Sequence, residues 1–131
     1  MPDDPRDYDK EFTTRVDRRA RRRLGIDVEQ GQVTRFVIQL EYHLDPTADE
    51  WATAVRYDHD SLGSDEATHD VTEEGLHIDI YRDGEKVDSH ELTPPLPANE
   101  AVDAAEDHLA EHLEGYLRRF EQWHGIKRGN R

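Results

Sequence analysis

No cysteine occurs in the 131 residues, which excludes disulfides, thiolate zinc sites, iron–sulfur clusters and thiol nucleophiles. Lysine is nearly missing as well: of the 17 cationic residues only Lys10, Lys86 and Lys127 are lysines. Long apolar runs are absent, and without 18 consecutive apolar residues no helix is expected to span a bilayer. The opening MPDDPRDYDK is too acidic and polar for a secretory signal, so a cytoplasmic location is expected.

What the chain has in excess is carboxylate. Asp and Glu number 31, and the formal net charge is -14. Such a surface repels itself in dilute buffer, whereas at molar salt the screening length falls to about 3 Å and the repulsion fades. The composition fits a salt-rich cytoplasm, that of a halophilic archaeon first, with an ordinary acidic bacterial protein as the alternative. At 131 residues and 34% apolar content, one core and one domain are expected.

Residues 1–9, with two prolines and four aspartates, read as a mobile acidic tail ahead of a single α+β domain over 10–131. Phe12, Val16, Ala20 and Leu24 advance by four, which predicts an N-terminal helix from Lys10 to Leu24 ended by Gly25. From Val33 to Leu44 the apolar residues alternate, as they do around Trp51–Tyr57 and Leu76–Ile80, and Asp83-Gly84 turns the chain into a fourth strand over Glu85–Leu92. Thr93-Pro94-Pro95-Leu96-Pro97 makes a stiff linker. Asn99 is the expected cap of a long helix whose apolar face carries Val102, Ala105, Leu109, Leu113, Tyr116, Phe120 and Trp123, and Gly125 ends it. The fold class expected is therefore α+β: a two-layer sandwich in which a four-stranded antiparallel meander is flanked by an N-terminal and a long C-terminal helix.

Four constellations could carry function. The first is the outward sheet face, where alternation places Glu41, His43, Arg56, Asp58, His77, Asp79 and Tyr81 together. Histidine, guanidinium and carboxylate are the parts needed for metal-independent phosphodiester cleavage, and they serve equally as a binding patch or a merely solvated face. The second is the loop from Asp58 to Asp70. It matches a calcium loop at its first, third and sixth positions, but Leu62 stands at the fifth and His69 where the bidentate glutamate belongs. His108, Glu111 and His112 form the third, spelling H-x-x-E-H, the inverted zinc-peptidase pattern, without a third ligand; a boundary histidine explains His112 as well. The fourth is the arginine-rich segment 15–23, formal charge +5, with Arg15, Arg18, Arg19 and Arg22 as candidates for binding nucleic acid or an acidic protein, or for forming a solvated basic face. No metal and no cofactor are expected.

At Val55-Arg56-Tyr57-Asp58, His69-Asp70 and Ile80-Tyr81-Arg82-Asp83-Gly84-Glu85, the chain resembles small uncharacterised haloarchaeal and phage-associated proteins of unknown function. More distantly it resembles the toxin components of toxin–antitoxin pairs, some of which cut RNA. That resemblance spans about residues 33–92 and implies Arg56, Asp58, His69 and His77 as catalytic positions. Gly63 lies five residues beyond the aspartate and the histidines are spread out, unlike the paired histidines of the toxins. The expected function is that of a non-enzymatic interaction module with a protein or nucleic-acid partner, able to form homo-oligomers and not bound to membranes. The alternative is a toxin-like ribonuclease working from the polar sheet face.

Overall fold

A spacing of four is two strand periods as well as one helical turn. In the computed structural model, which describes residues 7–45, 47–61 and 69–126, the chain takes the strand option at its start. The expected N-terminal helix is instead a hairpin of β1 (Lys10–Asp17) and β2 (Ala20–Glu29), turning at Arg18 and Arg19. A helical stripe needs apolar residues three as well as four apart, and arginine fills positions 15, 19 and 23. As strands the same residues sort cleanly, with Leu24 and Ile26 on one face and Arg21 and Arg23 on the other. Gly25 ends nothing; it lies within β2 opposite Val37.

The remaining elements are β3 (Gln32–Asp45), β4 (Glu50–Asp60), the short α1 (Val71–Glu74), β5 (His77–Arg82), β6 (Glu85–Glu91) and α2 (Ala98–Trp123). Among the described residues, the six strands form one antiparallel sheet in sequence order, covered on one face by the long α2. This corrects the four-stranded, two-helix sandwich. At two hairpins, Gln30-Gly31 and Asp83-Gly84, both central residues have positive φ, as tight primed turns require.

One face of the sheet carries Phe36, Ile38, Leu40, Tyr42, Val55, Tyr57, Ile78 and Ile80, all essentially inaccessible, against Ala101, Ala105, Leu109, Leu117 and Phe120 of α2. Tyr42 extends the contact by donating to Glu121 at 2.7 Å while its ring lies 5.1 Å from that of Phe120. Asn99 does not cap α2, whose N-cap is Pro97. Its side chain reaches the β2–β3 turn, accepting from the Val33 amide at 2.9 Å and donating to the Gly31 carbonyl at 3.0 Å. No helix among the described residues is long and apolar enough to cross a membrane.

The opposite face departs from the exposed polar surface that alternation implies. Gln39, Glu41, Arg56, Asp58 and Asp79 are buried although no further helix or strand of the described residues covers them. Four of the five strand ladders contain register shifts, which bend strands and sharpen twist. Long side chains then lie across one another, and Tyr8 closes one corner with its ring 3.9 Å from the Arg35 guanidinium. Tyr8 belongs to the segment read as a tail; residues 1–6 of that segment lie outside the described residues.

Candidate functional site

The polar face is a continuous chain of charge-assisted contacts. Glu11 pairs with Arg23, which lies 3.8 Å from Glu41; Gln39 donates to Glu41 at 2.7 Å and accepts from Arg56 at 2.6 Å. Arg56 donates to Asp58 Oδ2 at 3.0 Å. Asp58 Oδ1 accepts the His69 backbone amide at 2.9 Å, and His69 Nε2 lies 3.2 Å from Asp79 Oδ1. Asp79 also accepts from Ser89 at 2.7 Å and has Lys86 Nζ 3.4 Å from its other oxygen. Strand register explains the assembly: Arg56 sits opposite Asp79, and Asp79 opposite Ser89.

Of the positions implied by the toxin resemblance, Arg56, Asp58 and His69 meet directly. His77 joins by stacking on His69, ring centroids 4.5 Å apart and planes 6° from parallel. Asp79, placed on this face by the alternation of Ile78 and Ile80 but not among those four, is the residue that holds His69. Glu74, Lys86 and Ser89 were not singled out at all; the Asp83-Gly84 turn, which sets the β5–β6 register, was the signal that could have found Lys86 and Ser89.

Burial decides how each group behaves. It pushes the Asp58 carboxyl up, against the opposing charge and hydrogen bond of Arg56. For Asp79 burial acts in the same sense, but the hydrogen bonds from His69 and Ser89 and the charges of His69 and Lys86 outweigh it and hold the carboxyl below its usual value. The bond to Asp79 raises His69 above the ordinary histidine range. The other ring nitrogen of His69 faces Glu74 at 3.5 Å, so both of its nitrogens already have carboxylates beside them.

The arginine-rich segment is spent largely inside the molecule. Arg19 donates to the carbonyls of His43 and Leu44, Arg21 to Glu41, Arg22 to Glu106 of α2, and Arg23 to Glu11. Arg21 also lies over the Trp51 ring at 3.8 Å. Arg15 and Arg18 are exposed, and Arg15 donates to the Arg18 carbonyl at 2.9 Å. Residues 15–23 lie in the β1–β2 hairpin rather than in a basic helix.

Of the calcium-loop candidate, Asp58, His59 and Asp60 are strand residues of β4, and positions 62–68 lie outside the described residues. In α2 the rings of His108 and His112 stack at 4.2 Å, and Nδ1 of His108 is 2.8 Å from the Tyr57 hydroxyl. Among the described residues that helix gathers no group of three metal ligands. Burial, reinforced by the neighbouring His112, holds the His108 imidazole below the usual 6.5. A base depressed in the folded state resists protonation there, so its contribution is intact above about pH 6.5 and falls as pH drops through that value. Melting curves of wild type and His108→Gln are therefore expected to diverge less at acid pH than at neutral pH, and an NMR titration of His108 should give a midpoint under 6.5.

Residues 7–126, which hold the whole sheet, the polar network and α2, match a family model described as a domain of unknown function. The chain belongs to the DUF7718 family. This agrees with the unknown function expected from the sequence. Comparison with curated proteins and with solved structures returns no match for this DUF7718 chain.

Proposed function

We propose that this DUF7718 protein is a non-enzymatic interaction module that assembles through its β1 edge, with a second copy of the chain as its partner. The observation that carries this reading is the contrast between the two sheet edges. Strand β6 is charged or titratable at five of its seven positions, Glu85, Lys86, Asp88, His90 and Glu91, the usual protection against unwanted pairing. In β1 the charges (Lys10, Glu11, Arg15, Asp17) and the register shift at Arg15–Asp17 flank a central Phe12-Thr13-Thr14 stretch that is uncharged and exposed, with Phe12 at 52%.

Two copies joined edge to edge must be related by a two-fold axis normal to the sheet, which keeps both helices on one side. With the axis at Thr13, Glu11 of each copy faces Arg15 of the other, and the two Phe12 rings become diagonal neighbours. Moving the axis to Thr14 sets Glu11 against Asp17, two like charges, and moving it to Phe12 leaves Glu11 facing Thr13.

The enzymatic alternative has the His69–His77 stack in its favour, but Arg56 is 3% exposed and Asp58 fully buried, which keeps both from a substrate phosphate. Nucleic acid is the weaker partner because four of the six arginines in the segment are engaged internally. We further propose a salt-rich haloarchaeal cytoplasm as the setting, supported by the -14 charge and the scarcity of lysine.

Sedimentation velocity tests the reading. Wild type is expected to dimerise, more tightly at molar than at low salt because salt masks the repulsion between two chains of charge -14. Phe12→Lys should weaken the dimer at least tenfold while leaving the circular dichroism spectrum unchanged. A wild-type monomer at every salt concentration overturns it, as does cleavage of total RNA that disappears in His77→Ala.

A further inference from the structure

We propose that Asp58, His69 and Asp79 bind one divalent transition metal ion of the zinc–cobalt class, which staples β5 to β4. Each residue offers one ligand atom, and these atoms all lie within 4.8 Å of one another. Ligands about 2.0–2.2 Å from a tetrahedral ion sit some 3.4 Å apart, so closing the site requires only a small inward movement. One imidazole nitrogen and two carboxylates are the donor set of three-ligand zinc sites, with the fourth position left for water. Calcium needs six to eight oxygens, and magnesium prefers an oxygen octahedron rich in water; this nitrogen-containing trio supplies neither.

A second observation points to a ligand. Asp79 is fully buried, and among the described residues its Oδ2 makes no hydrogen bond. The nearest cation, Lys86 Nζ, stands off at 3.4 Å on a side chain one-third exposed, free to swing away when an ion arrives. The ligands are also oriented by neighbours: Arg56 donates to Asp58 Oδ2, Ser89 donates to Asp79 Oδ1, and Glu74 faces Nδ1 of His69.

The position of the cluster supplies its purpose. The β4–β5 ladder contains two residue pairs, Val55↔Ile80 and Arg56↔Asp79, against six or more in every other ladder. Asp58 lies on β4, Asp79 on β5 and His69 midway along the connection between them, just ahead of α1, so one ion ties all three at the sheet's thinnest junction. This inference is independent of assembly through β1.

The test is titration of the chelator-treated full chain with Zn²⁺ and, separately, Co²⁺. One equivalent should bind, cobalt should give a visible d–d band of four-coordinate N/O type, and zinc should raise the melting temperature by roughly 5–10 °C. Asp79→Asn and His69→Gln should each lose tenfold or more in affinity. His69 is partly exposed, which lets its variant fold even where the buried aspartate's does not. His112→Gln, in the helical histidine motif, should bind as wild type does. Absence of binding overturns the proposal, as do unchanged affinity in His69→Gln, loss of binding in His112→Gln, or equal affinity for Ca²⁺.

Discussion

Replacing Arg56 by methionine in metal-free buffer is expected to cost about 3–5 kcal/mol and lower the melting temperature by roughly 10–20 °C. The guanidinium is 3% exposed and lies between Asp58 Oδ2 and Gln39 Oε1. Its removal strands a carboxylate with no access to water and leaves an amide oxygen unanswered. The cost arises from what remains behind, so an Arg56→Met/Asp58→Leu double variant should melt above the single one. If Arg56→Met melts within a few degrees of wild type, the polar face is wetter than its burial implies and the network is a surface decoration.

Gly75→Ala is expected to be comparably damaging, for a different reason. Gly75 has φ +84, and a Cβ there would stand 2.0 Å from the Thr93 carbonyl oxygen and 3.0 Å from the Pro94 carbonyl carbon. Backbone strain costs roughly 1–3 kcal/mol and forced overpacking a similar amount again. Gly84 provides the control, because its φ of +80 is nearly the same but nothing lies within 4 Å of an added Cβ. Denaturant melts of the two alanine variants should therefore separate clash from conformation. Equal losses would show that the approach of the Pro94 segment to Gly75 relaxes at little cost.

How much of this was legible in the sequence depends on how many structures a given pattern permits. The strands around Phe36–Tyr42, Val55–Tyr57 and Ile78–Ile80 could be read because strict alternation suits only a strand, and the long amphipathic helix could be read because it uses steps of both three and four. Phe12, Val16, Ala20 and Leu24 misled because a step of four satisfies either periodicity, and the β-branched Thr13, Thr14 and Val16 were the overlooked tie-breakers. Arg56, Asp58, His69 and His77 come together in space, yet the burial of Arg56 and Asp58 was invisible, because polar residues on alternate strand positions imply solvent. Asn99 resembled a helix cap because caps and long-range anchors draw on the same short amide side chain.

The meander with a terminal helix also constrains synthesis. Each strand pairs with the one made just before it, so hairpins can close as they leave the ribosome, whereas Phe36, Ile38, Leu40 and Tyr42 wait for a cover that is not translated until Leu117 and Phe120 emerge. During that interval the nascent sheet presents one greasy side to water, and a stalled or truncated product lacking α2 is a natural client for chaperones and proteases.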